Sequence, residues 1–155
     1  MIPTMRFVSA LALSVLVTSA HAQALPARPA DRATDVGLPP EVTTPAPNIK
    51  LDHLQYVIPG AAPDSAVDYP QLLALQEALR DVARVDLAAA KAKFAVRGMF
   101  ALTPNEPAKF KMQVGGNAAG EDARLKQFHH DASALTGFHS SKGTIYVTFD
   151  YAVNP

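Results

Sequence analysis

The sequence predicts an α+β domain, with a small antiparallel sheet and two helices on one of its faces. Two observations predict this class. Four segments alternate apolar with polar residues or form short apolar runs, and two others carry apolar residues at helical spacing. The chain also has no cysteine, so an apolar core must stabilise it without disulfides. Residues 51–155, about 105 in number, suffice for one such core.

The N-terminal segment, residues 1–22, predicts a secretory signal peptide. Arg6 supplies a short positive region, and Ala20-His21-Ala22 fits the small-x-small cleavage pattern. The apolar run from Phe7 to Val17 is shorter than the roughly 20 residues that span a bilayer. An N-terminal membrane anchor is the alternative, and the short run disfavours it. We therefore expect a periplasmic or secreted protein with no transmembrane segment in the mature chain.

Residues 23–50 predict a disordered linker rich in Pro and Ala. The segment has no aromatic residue and no apolar periodicity. It cannot bury enough surface to offset the entropy lost on ordering, so we expect an extended spacer. A proline-rich docking peptide is the alternative, although the P-x-x-P pattern does not repeat cleanly.

The predicted domain begins with a strand and a helix. The apolar run Leu54–Gly60 ends at a Pro-Gly pair, which is typical of a buried strand followed by a turn. Asp68 can then cap a helix that has Pro70 in its first turn. The apolar stripe of this helix consists of Leu72, Leu75, Leu79 and Val82.

A hairpin follows the first helix. Apolar residues alternate from Phe94 to Leu102, with Gly98 as a candidate bulge. The turn cluster TPNEP separates this strand from a second one, Lys109–Val114, which alternates without interruption.

A second helix extends to about Thr136, and Gly137 lies where a left-handed C-terminal cap is expected. The strand GTIYVTFDYAV closes the chain with strict alternation. The order strand-helix-strand-strand-helix-strand is that of a split βαβ, ferredoxin-like domain. Both helices would cover one sheet face and leave the other open. If the short first strand were absent, a three-stranded sheet would remain.

The segment QFHHDASALTGFH contains three of the five histidines. A helical metal site needs two ligands on one face at four-residue spacing, but His129 and His130 are neighbours and point about 100° apart. Their partners four residues away are Ser, Leu, Ala and Lys. We interpret them as the polar edge of a helix and expect no cofactor. A metal or hydrolytic site built from His129, His139 and Asp131 is the alternative.

The predicted open face of the sheet collects basic residues. Lys93, Arg97, Lys109 and Lys111 lie on the hairpin, with Tyr146 further along. Such residues can simply keep an exposed sheet soluble; the functional interpretation is a surface that binds an acidic partner. Nucleic acid is not expected, because basic and acidic residues balance at 14 each and the predicted strands lack the aromatic pattern of RNA-binding sheets.

The leading hypothesis is an exported, non-enzymatic binding or interaction module of the bacterial cell envelope. Its partner would be an envelope protein or an acidic polymer. One alternative is a small metal-binding protein or hydrolase that uses His129 and His139. Another is a structural subunit that adds an exposed strand to a larger assembly.

Overall fold

The fold consists of five strands and two helices in the part of the chain described by a computed structural model, residues 32–35, 44–60 and 66–155. The predicted signal peptide lies outside these residues. In chain order the elements are β1 (Arg32–Asp35), β2 (Ile49–Ile58), α1 (Tyr69–Leu87), β3 (Phe94–Leu102), β4 (Lys109–Gly116), α2 (Asp122–Ser133) and β5 (Ile145–Val153).

The strands form one sheet in the order β1-β2-β5-β3-β4, and every neighbouring pair is antiparallel. Helix α1 therefore joins two parallel strands, β2 and β3, that have β5 between them. Helix α2 joins β4 and β5, which have β3 between them. The predicted α+β class is confirmed, and the predicted ferredoxin-like element order is consistent with this arrangement. The structure adds β1 at one edge and places β5 and β3 at the centre.

The structured region begins earlier than residue 51. Strand β2 starts at Ile49, and β1 lies within the segment predicted to be a linker. The chain before β2 is fastened to the domain by hydrogen bonds. Asn48 donates its side-chain amide to the Ala88 carbonyl over 3.0 Å and accepts the Asn154 N–H over 2.8 Å. These contacts make residues 48–50 part of the domain.

The apolar core lies between the two helices and one face of the sheet. Strict alternation buries every second residue of β3 and β5. Helix α1 begins as predicted, because Asp68 accepts the Gln71 N–H over 3.3 Å. The predicted stripe of α1 is buried except for Val82, which is half-buried. The buried apolar residues of the two helices are Leu72, Leu75, Leu79, Ala83, Leu87, Leu125, Phe128 and Ala132.

Gly98 does not form a bulge. The pairing of β3 with β4 and with β5 continues without a shift through this residue, and the only irregularity recorded in the paired strands lies in β2, between Leu51 and His53. A β-carbon on Gly98 would overlap the ring of Phe149 and approach Cε2 of Phe110 to 2.9 Å. Gly98 is therefore required by the packing of aromatic rings over the strand.

The second helix is shorter than predicted. It ends at Ser133, and its C-cap residue, Ala134, keeps right-handed helical backbone angles. Gly137 is not among the glycines with positive φ, so it does not form the expected left-handed cap. The Ala134 N–H instead contacts the carbonyls of the last turn, which closes the helix without glycine.

Candidate functional site

The surface that we call the open face is the side of the sheet turned away from the helices. Its residues are half-buried or exposed, and in β3 and β5 they alternate with buried residues. It is formed by Lys50, His53, Gln55 and Val57 of β2; Tyr146, Thr148, Asp150 and Ala152 of β5; Ala95, Arg97, Met99 and Ala101 of β3; and Lys109, Lys111 and Gln113 of β4.

A row of polar side chains crosses the middle of the open face. Strand pairing places His53, Asp150, Arg97 and Gln113 next to one another on four successive strands. Arg97 donates from Nε to Oδ1 of Asp150 over 2.6 Å and from Nη2 to Oδ2 over 2.8 Å. The hydrogen bonds to this carboxylate raise the pKa of Arg97. Arg97, one of the predicted partner-binding residues, is thus already paired.

The other predicted basic residues differ in how much free charge they offer. Lys109 forms an ion pair with Glu106 over 2.7 Å. That hydrogen bond lowers the pKa of Glu106 and raises the pKa of Lys109. Lys93, just before β3, and Lys111 are exposed, and neither forms an ion pair with another residue of the described chain. The unpaired positive charge of the surface therefore comes from Lys93 and Lys111.

Tyr146 lies at the end of the open face near the β3–β4 turn. Its cross-strand partners are Val57 and Ala101, and Ala101 in turn pairs with Lys109. The row is mainly apolar, since Val57, Tyr146 and Ala101 occupy three of its four positions. A partner on the open face would contact apolar surface there and charged side chains further along the strands.

The structure does not assemble the alternative histidine site. Asp131 accepts a hydrogen bond from Nε2 of Gln127 over 2.8 Å, and His139 is exposed in the segment after α2. Nowhere in residues 44–60 or 66–155 do three or more His, Asp or Glu side chains lie close enough to hold a metal ion. His53 and His129 are on opposite sides of the sheet, because His53 belongs to the open face and the ring of His129 lies against Phe110, with centroids 5.6 Å apart.

A shallow cavity of about 270 Å³ separates α2 from β4. Its lining combines apolar and charged side chains: Met112, Asp122, Leu125, Lys126 and His129. No sequence pattern predicts this cavity, because it depends on how α2 lies over the outermost strand.

The burial of two acidic residues in the helix layer was also not predicted from the sequence. Glu121 is buried; its Oε1 accepts the N–H of Lys91 over 2.6 Å and of Ala92 over 3.0 Å. These hydrogen bonds, together with Nε of Arg124 at 3.0 Å from Oε2, lower the pKa of Glu121. The carboxylate therefore fastens the start of α2 to the loop before β3.

Asp86 is the second buried carboxyl. It is 6% exposed at the end of α1, and its Oδ2 has no hydrogen-bond partner. Burial raises its pKa, and the neighbouring carboxylate of Asp131 raises it further, while Arg124 partly opposes both effects. Because burial and the Asp131 carboxylate both disfavour the charged form of Asp86, the stability of this region depends on pH.

Comparisons with protein-family models, with curated proteins and with solved structures found no match. Within the described residues, no helix is long and apolar enough to cross a bilayer.

Proposed function

We propose that this protein is an exported, non-enzymatic interaction module of the bacterial cell envelope, which binds an acidic protein or polymer on its open face. The observation that carries the proposal is the open face itself. Four strands present a continuous surface with an apolar end and an unpaired lysine, Lys111, and the unpaired Lys93 lies just before β3. Exported location is inferred from the N-terminal segment of the sequence and is part of the proposal.

The charge pattern favours an acidic partner of modest affinity. Arg97 and Lys109 already have carboxylate partners, so they contribute little net attraction. Exposed ion pairs contribute about 0–1 kcal/mol each, and two free lysines cannot alone supply tight binding. The apolar row formed by Val57, Tyr146 and Ala101 must supply the remaining affinity through buried surface.

The test uses site-specific photo-cross-linking in the envelope of living cells. A cross-linking residue replaces Gln113 on the open face; the control replaces Ala74, which is exposed on α1. We expect a discrete adduct from position 113 that is missing from position 74. Sequencing the recovered protein should also place the mature N-terminus at Gln23.

Matched charge reversals then test the role of the lysines. The K93E/K111E variant should lose the adduct. The R84E/K142E variant changes the net charge equally, at exposed residues outside the open face, and should keep the adduct. An adduct that survives K93E/K111E, or that forms equally well from position 74, would show that the open face is not the binding surface.

A further inference from the structure

Strand β4 is the outermost strand on the α2 side of the sheet, and its outer edge is unpaired within the described chain. It extends over eight residues, Lys109–Gly116, and pairs only with β3. No backbone group outside the sheet forms a hydrogen bond with it in residues 44–60 or 66–155. In an antiparallel pair, alternate residues direct their N–H and C=O groups to the neighbour, so the other alternate residues of β4 face outward.

The two faces of this edge have different chemistry. Lys109, Lys111 and Gln113 belong to the open face, and Phe110, Met112 and Val114 lie on the helix side. Phe110 and Met112 are only half-buried, and Val114 is 40% exposed. Helix α2 therefore covers this strand only in part: the ring of His129 lies against Phe110, while Val114 stays exposed.

The cavity between α2 and β4 lies on the apolar side of the same edge. Met112 and Leu125 provide its apolar lining, and it is a shallow depression that is open to solvent. A strand added beside β4 would place every second side chain on this side of the sheet. One of those side chains could enter the cavity next to Met112.

The positive charge of β4 indicates which kind of strand can pair with its outer edge. A second copy of β4 would bring two more lysines to the same small surface, and lysines on exposed edges are a common protection against such self-pairing. An acidic strand would instead place a carboxylate beside Lys111, which has no ion-pair partner in the described chain, and oppositely charged cross-strand pairs are stabilising.

We propose that β4 binds an extended segment of the partner, in which acidic residues alternate with aliphatic residues, as an added antiparallel strand of the sheet. This inference rests on the proposed function, since it specifies how the acidic partner is held. The acidic side chains lie on the open face beside the lysines. The aliphatic side chains cover Phe110, Met112 and Val114, and one occupies the cavity.

The probe is a synthetic eight-residue peptide in which glutamates alternate with valine and leucine. One control peptide has the same composition with its glutamates grouped together, and another has lysines in place of the glutamates. Amide hydrogen exchange is followed by NMR on the whole mature protein. We expect new protection at every second residue of β4, because the remaining amides are already bonded to β3.

Affinity for the alternating peptide should fall roughly tenfold in K111E, in which attraction becomes repulsion, and should be unchanged in K142E. Neither control peptide should protect β4. Protection that is uniform along β4, absent, or equal with the lysine peptide would overturn the inference. So would protection that appears without peptide as protein concentration rises, because the occupant would then be a second copy.

The two proposals can fail separately. If the cross-linked partner is lost in K93E/K111E but β4 shows no alternating protection, the partner lies flat on the open face. The proposed function would then stand, and the added strand would be wrong. If the peptide protects β4 as expected but the envelope adduct persists in K93E/K111E, the edge binds acidic strands and the proposed function is wrong.

Discussion

Replacing Gly98 by alanine should destabilise the domain more than any other single-methyl addition to the sheet. Gly98 lies at the buried centre of β3 and lacks a positive φ, so only space opposes the substitution. The new β-carbon would overlap the ring of Phe149, which must retreat by roughly 1.5 Å to restore a normal carbon–carbon contact. Phe149 is 1% exposed, and Tyr151 and Phe100 hold it at centroid distances of 5.3 and 6.2 Å.

The cost follows from this confinement. Overpacking a core typically costs about 1–3 kcal/mol, and the rigidity of the surrounding rings indicates the upper end of that range. For a domain of this size, such a loss lowers Tm by on the order of 15 °C. Urea and thermal unfolding followed by circular dichroism would measure it in G98A.

The chain offers a matched control for this substitution in Gly115, on the neighbouring strand. A β-carbon there meets no atom within 4 Å, so G115A should be neutral or slightly stabilising. Replacing the obstructing ring by leucine in the double variant G98A/F149L should recover part of the lost stability. The coupling energy between the two substitutions would then have the opposite sign to their single effects. Equal stability of G98A and G115A would refute the packing argument.

Three further predictions concern charged groups. D86N should be more stable than wild type at neutral pH, because burial and the Asp131 carboxylate raise the pKa of Asp86; the advantage should vanish below the unfolded pKa of about 3.9. E121Q should be less stable at neutral pH, and its deficit should shrink on acidification, because the pKa of Glu121 is lowered in the fold; pH-resolved urea unfolding measures both effects. R97E should lower the stability because it places the carboxylates of residues 97 and 150 side by side. Exchanging the charges in R97E/D150R should restore most of that stability. If R97E/D150R is no more stable than R97E, the ion pair does not stabilise the sheet.

The sequence predicted best where one physical rule dominates. Alternation alone defined β3, which the structure places at the predicted Phe94–Leu102, because a strand at the centre of the sheet must bury one parity. The start of α1 was also predictable, since the cap Asp68 and the early Pro70 are local signals.

Local rules failed where the deciding contact is distant in the chain. Gly98 was assigned to a bulge because glycine in a strand commonly marks one, but the rings that require it come from Phe110 and Phe149. Gly137 was assigned to a helix cap, yet α2 had already ended at Ser133. The role of Gly98 cannot be read from neighbouring residues, because it depends on tertiary packing; α2 instead closes through backbone contacts of its own last turn, which glycine does not mark.

The charge of the candidate surface was the least predictable property, and it matters most for function. Arg97 and Asp150 are 53 residues apart, and they meet only because β5 lies between β2 and β3. This strand order removes Arg97 from the predicted basic patch, and Glu106 similarly occupies Lys109. Long-range attraction of the proposed partner would then be left to Lys93 and Lys111, so the proposed binding would depend on short-range contacts. The outer edge of β4 offers such contacts, since its backbone groups and half-buried apolar side chains lie beside the remaining free charge.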